Sequence, residues 1–89
     1  MGGLNSMSKE DFYNKILAHA EEHKEDIDDF HLRYQLVSLW TVFCMAHELE
    51  PDTAEYDARL LRIWDILSGK SLLWGNFHEF DLDMGKFLA

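Results

Sequence analysis

Between Leu36 and Ala46 the chain reads L-V-S-L-W-T-V-F-C-M-A, and only Ser38 and Thr41 interrupt its apolar character. Arg33 precedes the run, and His47 and Glu48 follow it. A bilayer-spanning helix needs about 20 consecutive apolar residues, so this run is too short to cross a membrane. It reads instead as the buried element of a small domain, and the remaining segments must supply its cover.

The 89 residues amount to one domain. A chain of this size buries somewhat more than ~60% of its unfolded surface, enough for one modest core. An apolar fraction of 47% and three Trp supply that core, which excludes a globally disordered chain. The charge is lopsided: 17 Asp and Glu stand against 8 Lys and Arg, for a formal net charge of −9. Such a surface is repelled by nucleic-acid phosphate and by anionic lipid, so the expected partner is another protein with a basic surface, with no nucleic acid and no membrane. The single cysteine, Cys44, lies inside the apolar run and reads as a small buried hydrophobe. With no disulfide framework and no signal-peptide pattern, a cytoplasmic, reducing setting is expected.

Periodicity divides the chain into helices. Ser8 is placed to cap a first helix over about Lys9 to Asp26, with Phe12, Ile16, Leu17 and Ala20 on one face. The segment Glu21 to Asp29 is the densest charge cluster, and Asp28 or Asp29 is placed to cap the next helix. That helix should run from Phe30 to about Leu49, with Leu32, Leu36, Leu39, Trp40, Phe43 and His47 on one side and Val37, Cys44 and Met45 widening the apolar surface. A helix apolar over most of its circumference must be covered on several sides, by its neighbours or by a second copy. The rival for 37–43 is a β-strand, since the stretch is rich in β-branched and aromatic residues. Pro51 ends the element. Asp52 with Glu55 resembles a capping box, opening a third helix from about Thr53 to Ser68 on Tyr56, Leu60, Ile63, Trp64 and Leu67. Gly69 supplies its stop. Ser71 is expected to cap a short helix through Phe80, with the remaining tail short and irregular. The expected fold is therefore all-α, a small bundle of three main helices plus a short C-terminal helix. Residues 8–89 form the single helical domain and 1–7 a flexible N-terminus.

Functional motifs are sparse. His19-Ala20-Glu21-Glu22-His23 matches the H-x-x-E-H zinc pattern, in which two imidazoles one helical turn apart share a metal and a glutamate acts as base. A catalytic zinc needs a third protein ligand as well, and the sequence offers none at a defined spacing. Met1-Gly2-Gly3-Leu4-Asn5-Ser6 fits the N-myristoylation pattern but lacks an adjacent basic patch. The Gly69-Lys70-Ser71 triplet resembles the tail of a phosphate-binding loop, yet the earlier glycine it requires is Trp64. Asp81, Asp83 and Gly85 lack the spacing of a calcium loop.

The reading that remains is a non-enzymatic acidic interaction module without metal or cofactor, in the form of a small inhibitor, regulatory or immunity-type protein, or of a homo-oligomerising helical domain such as a homodimer. Glu21, Glu22, Glu25, Asp26, Asp28 and Asp29 would steer the partner, and the aromatic group Trp74, Phe77 and Phe80 either seals the bottom of the core or, where exposed, would anchor the partner. The alternatives are a metal-dependent hydrolase using His19, Glu22 and His23, and an N-myristoylated membrane-associated adaptor.

Overall fold

The computed structural model describes residues 7–88. The myristoylation pattern at Gly2 to Ser6 lies outside them. Four α-helices are present: α1 over Lys9–His23, α2 over Phe30–Ala46, α3 over Ala54–Leu67 and α4 over Phe77–Met84. Among the described residues there is no strand, and 37–43 is helical throughout. None of these helices is long and apolar enough to cross a membrane.

Each helix begins where a side chain replaces a missing backbone acceptor. Ser8 accepts from the Asp11 N–H and starts α1. That helix tightens into a 3₁₀ turn over Lys24–Asp26, so the regular helix stops at His23, short of the expected Asp26. The turn falls where Glu21 to Asp29 concentrates like charge. Asp29, not Asp28, caps α2, accepting from the N–H groups of His31 and Leu32.

The end of α2 corrects the expectation of Leu49. The helix stops at Ala46, and Glu48 takes the left-handed conformation at φ 53°. The His47 N–H donates to the Phe43 carbonyl and the Leu49 N–H to the Cys44 carbonyl, the bonding of a Schellman turn. Leu49 then folds back into the core, which is why it reads as part of the apolar pattern without being helical.

The cap of α3 is a second correction. Thr53 accepts from the Tyr56 N–H, while Asp52 sits one position earlier in the left-handed region at φ 67°. Gly69, at φ 78°, closes α3 as expected.

The third correction concerns Ser71 to Phe80. Residues 71–76 form a loop, and α4 starts at Phe77, capped by Asn76, and continues through Met84 into the tail expected to be irregular. Gly75 therefore lies outside the helix, and its N–H donates to the Glu79 carboxylate at 2.7 Å.

In the bundle α1 packs against α2 and α3, and α4 packs against the same two from the other side. The helix α2 is thus flanked by α1 and α4, with α3 across the core. The centre is aromatic: Phe12, Trp40, Phe43 and Phe80 are fully buried. Phe12 meets Phe43 edge to face at 5.4 Å, and Trp40 meets Tyr56 likewise at 5.2 Å. The Trp40 indole N–H donates to the Tyr56 hydroxyl across the core at 3.2 Å, and the Tyr13 hydroxyl donates to the Arg59 carbonyl at 2.6 Å. Aromatic rings are thereby buried without leaving these polar tips unpaired. Met7, expected in the flexible N-terminus, packs partly against this core.

Candidate interaction surfaces

Most of the acidic cluster at Glu21 to Asp29 is engaged with its own molecule. Glu21 pairs with Lys24 at 2.6 Å and Glu25 with Lys70 at 2.9 Å. Asp29 is spent on the α2 cap. Asp28 holds two chain segments together: its carboxylate accepts the Ser71 hydroxyl at 2.5 Å and the Leu72 N–H at 2.7 Å. The Ser71 oxygen in turn accepts from the Leu73 and Trp74 N–H groups. Burial alone would raise the Asp28 carboxyl, but the Ser71 hydroxyl and the Leu72 and Leu73 N–H groups outweigh it and hold it below its ordinary value. Glu22 and Asp26 remain exposed without a cap to serve. Of the six carboxylates expected to steer a partner, these two have neither a helix N–H nor a lysine to hold, although Glu22 lies 3.8 Å from the His23 Nε2.

The aromatic group is placed differently from the expectation of an exposed anchor. Trp74 and Phe80 belong to the core, and Phe77 packs partly buried beside Trp64 and Phe80. The Trp74 indole N–H donates to Asp83 at 2.8 Å, which fixes the loop onto α4. Of the two readings of this aromatic group, a seal for the core or an exposed patch, the packing of Trp74 and Phe80 matches the first.

A second acidic region went unnoticed in the sequence. Asp52 and Asp57 at the start of α3 lie close enough to Asp81 of α4 for their charges to be felt there. Burial, then the negative charges of Asp57 and Asp52, lift the Asp81 carboxyl above its ordinary value, against a smaller opposing pull from His78. Asp52 and Asp57 are near neighbours at the start of α3, but Asp81 lies 24 residues beyond Asp57, so only the packing of α4 on α3 brings it to them.

His19 and His23 do face one another, with ring centroids 4.8 Å apart. The His19 Nε2 lies 3.2 Å from the Leu32 carbonyl, and burial holds its imidazole below the usual histidine range. Among the described residues, no three or more His, Cys, Asp and Glu side chains are grouped to hold a metal ion. Cys44 is buried, and that burial pushes its thiol up to about 12, which leaves it no thiolate with which to react.

Apolar side chains face solvent in the loop at Leu72 and Leu73, 93% and 57% exposed, and, among the helices, along the outer face of α2. From Tyr34 to Ala46 the sequence contains no charged residue. Yet Tyr34 is 53% exposed, Val42 36% and Met45 68%, with Gln35 and Ala46 exposed between and beside them. A shallow groove lined by His19, Tyr34, Gln35, Ser38, Leu39 and Val42 runs along this face beside α1. Of the residues expected to widen the apolar surface, Val37 and Cys44 are buried, while α1 and α4 cover other sides of the helix and leave the Met45 side chain in water. No protein-family model, curated protein or solved structure matches the chain.

Proposed function

We propose that this chain is a non-enzymatic, acidic protein-interaction module that captures a partner with a basic surface, as a small inhibitor or regulatory protein does. The observation that carries the reading is the surplus of carboxylate left after internal pairing. Lys9, Lys24, Arg59, Lys70 and Lys86 are all engaged in ion pairs with the molecule's own Asp and Glu residues. Seventeen carboxylates against eight cations leave the excess exposed at Glu22 and Asp26 on one end and at Asp52 and Asp57 on the other, beside the half-buried Asp81. Around Asp81 these charges repel one another, and a lysine or arginine of a partner would relieve that repulsion. The buried Cys44 and the engagement of His19 with Leu32 support the non-enzymatic half of the reading.

Reversing Glu22, Asp26 and Asp57 to Lys tests it, because all three are exposed and none caps a helix. Against a partner recovered from the native host, the association rate should fall by at least tenfold at low salt, and its dependence on ionic strength should flatten. An association rate indifferent to both salt and charge reversal removes the proposal.

A further inference from the structure

We propose that the uncharged outer face of α2 is a self-association surface, at which two copies of this chain pair antiparallel about a two-fold axis near residue 40. The inference is independent of the basic partner, because it concerns the one helical face that carboxylates leave bare.

Charge is the first argument. The exposed residues of α1 include Glu10, Lys15, Glu21 and Glu22, those of α3 include Glu55, Asp57, Arg62 and Asp65, and those of α4 include Glu79. Only α2 shows apolar side chains to water along a stretch, Tyr34 to Ala46, with no charge at all. A basic partner is recognised through carboxylates, and this face has none to offer. Two copies each carrying −9 can approach closely only where no carboxylate meets a carboxylate. This strip is such a place.

Symmetry is the second argument. A two-fold interface is isologous, so the same strip must fit itself when reversed. Gln35, Ser38, Val42 and Met45 follow one another at spacings of three, four and three, which is unchanged on reversal and keeps one helical face in register. Centred on residue 40, the reversed copy places Val42 over Ser38, Met45 over Gln35 and Tyr34 over Ala46. At the centre and the ends a larger side chain thus meets a smaller one, as packing of ridges into grooves requires. Antiparallel alignment also sets the two helix dipoles head to tail.

Of the polar side chains along the strip, those of Tyr34, Gln35 and Ser38 must find partners across the seam or keep water at its edge. The Thr41 hydroxyl already donates to the Val37 carbonyl at 2.9 Å, so it gives up no bond to water when covered. The thirteen residues from 34 to 46 make a strip about 20 Å long, so the buried area falls at the low end for specific interfaces, near or below about 1,200 Å² in total. The pair should therefore be reversible, with a dissociation constant on the order of micromolar or weaker.

The test is sedimentation equilibrium of the full chain from about 1 µM to about 1 mM, a range that brackets such a constant. The weight-average mass should rise twofold across it. The double variant Val42→Glu, Met45→Glu should remain at the monomer mass throughout, with unchanged helical circular dichroism, since both side chains are exposed in the monomer. Leu61→Glu, on the outer face of α3, should leave the doubling intact. Orientation is read by cross-linking. The pair Gln35→Cys, Met45→Cys should oxidise to a linked dimer, whereas Gln35→Cys alone should not, because antiparallel pairing holds its two copies about 15 Å apart. A mass that stays monomeric to the highest concentration, a dimer that survives the double glutamate variant, or a cross-link through Gln35→Cys alone would each overturn the inference. None of these results bears on whether charge reversal at Glu22, Asp26 and Asp57 slows capture of a basic partner.

Discussion

The helices α2 and α3, which face one another across the core, are built from the same devices and finished differently. Both helices start at a side-chain cap, Asp29 for α2 and Thr53 for α3. Both present a buried row, Leu36, Val37, Trp40, Phe43 and Cys44 from α2 against Tyr56, Leu60, Ile63 and Leu67 from α3. Both stop at a left-handed residue, Glu48 after α2 and Gly69 after α3. Outward they part. On α3, Arg59 lies over the Tyr13 ring at 4.6 Å and bonds Glu10 and Glu55, and exposed Leu61 is surrounded by the charged Asp57, Arg62 and Asp65. On α2 the outer face is Tyr34, Val42 and Met45 with uncharged neighbours. Water suffices to complete α3. A contiguous apolar surface is what a soluble monomer normally avoids, so α2 is the helix with an unfinished side.

The comparison rests first on equality of the inner faces. Leu36→Ala and Leu60→Ala each empty a site with no solvent exposure, and each should cost about 2–5 kcal/mol. Urea denaturation of both variants measures this. A loss under about 1 kcal/mol at Leu36 alone would mean that α2 is not core on either side, and the contrast with α3 would collapse. The next effect in size separates how the two helices are entered. Asp28, just before α2, ties the chain leaving α3 to the base of the bundle through Ser71 and Leu72. Hydrogen bonds to a charged group contribute about 1.5–3 kcal/mol, so Asp28→Ala should lower stability by about that much. Its carboxyl is held below the ordinary 3.8 in the folded state. The contribution is therefore complete above that ordinary value and disappears as pH falls through the lowered one. Acid unfolding of the wild type should converge on that of Asp28→Ala at the bottom of this window.

How much of this was legible depends on whether the cause was local. The amphipathic row of α3 and the stop at Gly69 could be read directly, because a 3.6-residue period and a glycine are both written in the sequence. The end of α2 expected from Pro51 falls three residues late, because Glu48, not being a glycine, gives no sign in the sequence of adopting a left-handed conformation. Ser71 looked like a helix cap for a sound reason, since it does bond the N–H groups of Leu73 and Trp74. What it lacks is a helix to follow: residues 71–76 form a loop, held to Asp28, 43 residues away, by the Ser71 hydroxyl, and the helix starts only at Phe77. The candidate surfaces were the least legible part. Pairing removed Glu21 and Glu25 from the acidic cluster, packing took Trp74 and Phe80 inside, and the meeting of Asp81 with Asp52 and Asp57 exists only in three dimensions. The bareness of α2 was legible as a run without charge, but only the placement of α1 and α4 shows which part of it stays uncovered.

The caps sharpen the comparison at a smaller scale. Asp29 accepts two N–H groups, at 2.9 and 3.2 Å, whereas Thr53 accepts one at 3.3 Å. Asp29→Ala should therefore cost about 1–2 kcal/mol and Thr53→Ala about 0.5–1 kcal/mol, by thermal or urea melts. Reversal of that order would show that α2 depends less on its cap than on its burial. At the other end of α3, a β-carbon added at Gly69 meets no atom within 4 Å, so Gly69→Ala carries only the strain of the left-handed backbone. That strain is about 1 kcal/mol.

The smallest effect has the opposite sign and falls at the matching position of α2. Glu48 holds a left-handed conformation at φ 53° with a full side chain, and it places a carboxylate beside the carbonyl end of the helix. Relief of the backbone strain by glycine is worth about 1 kcal/mol, and removal of the unfavourable charge about 0.3 kcal/mol or more at an exposed helix end. Against these stands the greater freedom that glycine gives the unfolded chain, about 0.4–1 kcal/mol. The balance favours Glu48→Gly by about 0.5 kcal/mol, within reach of paired urea melts at low protein concentration. The same substitution made in Met45→Glu should give the same gain, since Glu48 acts through its own backbone rather than through the exposed strip. A gain that vanished in the Met45→Glu background would place Glu48 in the self-association surface and extend that surface past the end of the helix.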